Sequence, residues 1–150
     1  MSSPVPQRPT TSSGPGPRSS RGFATLLIIV YGILALAATG RATWELITKF
    51  GEAPFPYTLS LLAALTYVVV TVLLVRRGGR SRAALYVCIL ELAGVLTVGT
   101  LTLMVPDLFP VATVWSSYGV GYGCVPLILP ICAIVYLVVE RRRTTGSEPS

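Results

Sequence analysis

Apolar positions in this chain gather into four long runs: Phe23 to Thr39, Tyr57 to Val75, Ala83 to Val105, and about Tyr118 to Val139. Each is about 17–23 residues, the length that carries a helix across a hydrocarbon layer of about 30 Å. A helix lying on a water-exposed surface would repeat polar residues on one face at helical period, and none of these runs carries such a stripe. The connections are short, about 16, 7 and 12 residues, so consecutive helices should be antiparallel neighbours. The pattern predicts an all-α membrane protein. Its core is an antiparallel four-helix transmembrane bundle over residues 22–140, with helices at about 22–40, 57–75, 83–105 and 118–139. Residues 1–21 form an arm of Pro, Ser, Thr and Gly with almost nothing to bury. That arm is expected to be disordered, as is the basic tail at 141–150.

Composition strengthens the case for a bilayer. Charged residues are 12% of the chain and hydrophobic residues 52%, whereas a typical soluble domain carries about 25% charged residues. The net charge is +6, supplied almost wholly by arginine. In a soluble protein that excess would raise the prospect of nucleic acid. Here the arginines bracket apolar runs instead of lining a face, so the bilayer is the expected partner and nucleic acid is not. Arg8, Arg18, Arg21, Arg76, Arg77, Arg80, Arg82, Arg141, Arg142 and Arg143 fall on one side of the alternating topology, and only Arg41 and Lys49 on the other. The positive-inside rule then predicts a multi-pass protein of the cell membrane with both termini cytoplasmic. Trp44, Trp115, Phe50, Phe55, Tyr57, Phe109 and Tyr118 fall near the outer loops, as an interfacial aromatic belt would. Arg21, the run after it and Ala35-Leu36-Ala37 have the outline of a cleavable signal. The run exceeds the usual 7–15 apolar residues, so the first span is expected to be retained.

The residue inventory limits chemistry. There is no histidine, one lysine and one aspartate, which removes the common nucleophile–base triads and histidine metal sites. No catalytic residue, cofactor site or metal site is expected, and the chain reads as a non-enzyme. Cys88, Cys124 and Cys132 lie in apolar runs and are odd in number, so they read as small packing residues.

Three places remain for function. Glu91 is nine residues beyond Arg82, about 13–14 Å along a helix, which is near mid-bilayer. An ionisable group there costs at least a few kcal/mol and should face protein or water. With no Lys or Arg inside the four spans, the neutral acid is the expected form. Its own face carries Ala84, Cys88, Val95, Val98 and Thr102, with Gly94 beside it. Depth matching sets Tyr31, Thr66 and Tyr67 at its level, making a candidate intramembrane polar cluster with Glu91, and puts Cys132 opposite on the fourth span. The fourth span opens with Gly119 and Gly123, spaced as a GxxxG packing pair, and carries Pro126 and Pro130, each predicted to kink it and free a carbonyl. Lastly, residues 40–51 have helical character. Arg41, Glu45 and Lys49 are spaced to pair, while Trp44, Ile47 and Phe50 lie on another face. Arg41, Trp44, Glu45 and Trp115 thus form a candidate outer surface, either a docking site or an interfacial anchor.

The stretches RATWELITKFGEAPFPYTLS, LELAGVLTVGTL and PDLFPVATVWSSYGVGYGCVPLILP, with arginine used in place of lysine and many alanines, give the chain a resemblance over about residues 23–139. It resembles the uncharacterised small four-span integral membrane proteins of actinobacteria. That resemblance implies the architecture and carries no activity or site residues with it. Small multidrug exporters also combine four spans with one intramembrane glutamate. Theirs lies in the first span of a shorter chain and Glu91 in the third, so that family is not adopted. Two functions follow as expectations. One is a non-catalytic accessory or assembly subunit of a larger cell-envelope membrane complex, with a membrane-protein partner. The other is a small proton- or ion-coupled transporter, a homo-oligomer with Glu91 as coupling residue.

Overall fold

The computed structural model describes residues 17–146, and within them there are only helices, turns and loops. Four α-helices follow in chain order: α1 (Pro17–Thr48), α2 (Pro54–Arg77), α3 (Arg82–Met104) and α4 (Val125–Thr145). Short 3₁₀ turns occupy Gly78–Arg80, Pro106–Leu108 and Ser116–Tyr122. Three helices are long and apolar enough to cross a membrane. A fourth crossing exists if Ser116–Tyr122 and Val125–Thr145, bent by 99° at their junction, count as one broken span. The expected disorder of 1–16 and 147–150 lies outside the described residues.

Helices α1 and α4 run past ends that the hydrophobic runs foretold. Residues 17–21, assigned to the arm, are already helical. At its other end α1 does not stop at Gly40. Its inward residues are Leu27, Tyr31, Ala35, Ala38, Ala42 and Glu45. That spacing of three and four keeps one face inward from Leu27 to Glu45, so most of the segment 40–51, read as helical, is the last turns of α1. Residues 49–53, with Gly51 among them, then separate α1 from α2, which opens at Pro54. In the same way Arg141 to Thr145, assigned to the tail, continue α4.

The fourth helix is the main correction. It starts at Val125 and not at Tyr118, because the chain before it is left-handed. Gly119 and Gly123 have φ of 77° and 63°, and Ser117, Tyr118 and Cys124 share that region at 50°, 59° and 59°. Each non-glycine residue there costs about 1–2 kcal/mol. Gly119 and Gly123 are therefore turn residues, not a helix-packing pair, and a Cβ on Gly119 would meet the Pro126 ring at 2.9 Å. Pro126 sits in the first turn of α4, where it breaks no helical bond. Pro130 alone lies inside the helix and leaves the Pro126 carbonyl without its usual donor.

Packing follows the chain order. α1 and α2 make the most extensive contact, and small residues are buried on both, Ala35, Ala38 and Ala42 on α1 and Ser60, Ala63 and Ala64 on α2. α3 packs on α2 and α4, whereas α1 barely meets α4. Into the end opposite Arg80, Arg82 and Arg141 folds the segment 109–119, in which Phe109, Thr113, Val114, Trp115, Ser116 and Gly119 are buried. Irregular backbone can be buried only if its polar groups are met. Here Thr113 N–H donates to Ser116 Oγ (2.8 Å) and Ser116 N–H to Thr113 Oγ1 (3.1 Å), a reciprocal clasp.

Candidate functional site

α3 turns Ala84, Cys88, Glu91, Val95 and Val98 inward at helical spacing, with Gly99 beside Val98. Glu91 has no exposed surface. Tyr31 of α1 crosses the gap to it, donating from Oη to Glu91 Oε2 at 2.9 Å, and lies 3.7 Å from Cys88 Sγ. α1 and α3 make little backbone contact, so a long side chain is needed to join them. Tyr67 of α2 stands beside Tyr31, with ring centroids 6.3 Å apart and planes tilted at 53°. Its hydroxyl accepts from Trp115 Nε1 at 3.0 Å. Cys88, Glu91, Tyr31, Tyr67 and Trp115 thus form a buried polar core that joins α1, α2, α3 and the inserted segment. Thr66, expected in this cluster, is buried but donates to the Leu62 carbonyl of its own helix at 2.9 Å. Cys132 instead lines an apolar cleft between α1 and α4, with Phe23, Leu27 and Ile128.

Glu91 Oε1 has no hydrogen-bond partner. The Tyr67 hydroxyl uses a lone pair for Trp115 and keeps a proton to give. The core thus holds one acceptor, on Glu91, and one hydroxyl proton, on Tyr67, that its internal hydrogen bonds do not use. Replacing Tyr31 with Phe removes the remaining partner of Glu91 and should destabilise the protein by about 1–3 kcal/mol. The lower part of that range is expected where hydrogen bonds form within a bilayer. Glu91→Gln keeps an acceptor for Tyr31 and should have the smaller effect. Equilibrium unfolding in mixed micelles compares them, and a Tyr31→Phe protein as stable as wild type would show that the bond adds nothing.

The expected outer surface separates into two parts. Trp44 is 66% exposed, and Ile47 and Phe50 are exposed with it, so this face of α1 is free to meet lipid or protein. Glu45 and Trp115 are buried and do not belong to such a surface. Glu45 turns inward because it falls on the buried face of α1, where Arg41 Nε donates to its Oε1 at 2.7 Å. The other Arg41 nitrogens donate to Tyr122 Oη (2.6 Å) and the Ala112 carbonyl (2.9 Å). Arg41 thereby ties α1 to both sides of the inserted segment. Lys49 lies just past the end of α1 and does not extend this pairing. Trp115 is buried because its indole packs on α3 at Gly94, where a Cβ would come within 2.8 Å of the ring.

Trp115 as a core residue was missed from sequence, where its place in an apparent outer loop suggested a membrane-surface role. The available signal was the pair of glycines on α3, Gly94 and Gly99, which are now seen to receive Trp115 and Tyr118. The arginines near the ends of α2, α3 and α4 were used only to orient the chain, yet three of them converge. No protein-family model, curated protein or solved structure matches this chain.

Proposed function

We propose that the chain is a multi-pass integral protein of the cell membrane, with both termini cytoplasmic, that acts as a non-catalytic accessory or assembly subunit of a larger cell-envelope complex. The observation that carries this reading is the contrast between interior and exterior. The buried acid is enclosed and bonded to Tyr31 within the chain, while large apolar side chains cover the outside. Leu36, Ile47, Trp44, Leu90, Leu103 and Met104 are each well over half exposed. Such a surface suits lipid and neighbouring membrane helices. The exposed Trp44, Ile47 and Phe50 face is the first place to seek a protein contact.

Crosslinking in native membranes, followed by purification of the tagged chain in mild detergent, tests the proposal. A second membrane protein recovered in fixed ratio is expected. Recovery of this chain alone, from membranes where it is abundant, would overturn it. One observation favours the transporter reading: Glu91 Oε1 is buried without a partner, as a carboxyl that takes up and releases a proton would be in one of its states. Glu91→Gln in proteoliposomes decides that reading. Loss of a pH-gradient-driven flux supports it, and an unchanged flux removes it.

A further inference from the structure

Three arginines from separate parts of the chain meet at one end of the bundle. Arg80 belongs to the turn after α2, Arg82 opens α3, and Arg141 lies in the last turns of α4. With Thr144 and Thr145 they line a shallow cavity of about 300 Å³. Their meeting depends on Gly79, whose missing side chain lets α4 close over the turn. A Cβ there would come within 2.6 Å of the Glu140 side chain and 3.1 Å of Tyr136 Oη. Among the described residues none of the three guanidinium groups is ion-paired. Glu140, the acid nearest in sequence, packs over Gly79 and is not part of the cavity wall. Both threonine hydroxyls donate back to the Arg141 carbonyl. The donors left for a ligand are therefore guanidinium N–H groups, reinforced by the positive end of α3.

We infer that Arg80, Arg82 and Arg141 clasp the phosphate headgroup of an anionic phospholipid. Guanidinium forks match phosphate oxygens, and basic pockets at the cytoplasmic ends of membrane helices suit such headgroups. The surroundings favour a lipid over free phosphate. One turn along α3 from Arg82, Tyr86 is 69% exposed, and Val75 and Val139 are exposed at the ends of α2 and α4. An acyl chain has apolar surface to follow as soon as it leaves the cavity. This inference rests on the membrane reading above and adds a ligand to it.

The test compares two triple variants of the full chain that remove equal charge from the same side: Arg80→Gln/Arg82→Gln/Arg141→Gln, and Arg21→Gln/Arg76→Gln/Arg77→Gln. Retention of phosphatidylglycerol from mixed phosphatidylglycerol–phosphatidylcholine vesicles is measured by native mass spectrometry. Melting temperature in detergent serves as the control for folding, and it should stay near the wild-type value because Arg80 and Arg82 are exposed, Arg141 is half-exposed and none of the three is ion-paired among the described residues. The first variant should lose affinity for phosphatidylglycerol by about tenfold or more beyond the loss shown by the second, which reports the diffuse attraction of surface charge alone. Equal losses would overturn the clasp and leave only diffuse surface charge. Displacement of the lipid by an equal concentration of inorganic phosphate would overturn the lipid as its occupant. Wild-type protein in the aqueous fraction, checked before lipid is added, would overturn the membrane reading itself.

Discussion

Trp115→Ala should destabilise the protein by about 3–5 kcal/mol, the range for deleting a large buried aromatic side chain. Trp115 is 3% exposed and fills the space over Gly94. Its indole also supplies the hydrogen bond that Tyr67 accepts. The substitution leaves a cavity beside α3 and removes the bond joining the inserted segment to α2. Trp115→Phe separates these contributions, since it keeps most of the ring and loses the N–H, and should cost about 1 kcal/mol beyond its change in volume. A double-mutant cycle with Tyr67→Phe, read by unfolding in mixed micelles, isolates the bond. If Trp115→Ala melted like wild type, the segment 109–119 could not be seated in the bundle as described.

Gly99→Val should be the other severe change. A Cβ at Gly99 would lie 2.8 Å from the backbone nitrogen of Tyr118 and closer still to its ring. A flexible side chain can swing aside, but a backbone nitrogen held in a left-handed turn cannot, so the whole inserted segment must lift. Overpacking of this kind costs about 1–3 kcal/mol, and the second and third carbons of valine place it at the upper end. The cost appears as displacement as well as lost stability. In a Trp44→Phe background, where Trp115 is the sole tryptophan, its emission should shift to the red as the segment leaves its site. An unshifted emission and unchanged stability would contradict the close approach of Tyr118 to α3. The same substitution at Gly22, where nothing lies within 4 Å, serves as control.

The polar core shows why some of the site was legible and some was not. Glu91, Cys88 and the small residues of α3 share a face by arithmetic on a 3.6-residue period, and Tyr31 and Tyr67 fall at the depth of Glu91 by counting rise. Side chains on straight helices can be located this way because the backbone repeats. Depth does not specify rotation, however. Thr66 lies at the same level and bonds within its own helix, and Cys132 is turned towards the α1–α4 cleft. Trp115 could not be located by counting at all, since it lies on irregular chain whose path has no period.

The left-handed segment marks the same limit. Gly119 and Gly123 advertise themselves as residues that tolerate positive φ, and they were equally compatible with close helix packing. Ser117, Tyr118 and Cys124 give no such signal, because side-chain type alone does not force an L-residue into that region. They are held there by their surroundings: the glycine face of α3 that receives Tyr118, the Pro126 ring against Gly119, and the bond from Cys124 N–H to the Gly119 carbonyl at 3.0 Å.

By itself the sequence determined the all-helical architecture, the long apolar segments and the inward face of α3. Those properties follow from local periodicity and from the free energy of placing side chains in water or out of it. Only the tertiary structure decided that the last connection folds inward, that Trp115 belongs to the core and that Arg80, Arg82 and Arg141 share one cavity. These depend on contacts between residues far apart in the chain. Such contacts form where a missing side chain, as at Gly79, Gly94 and Gly99, leaves room for another part of the molecule.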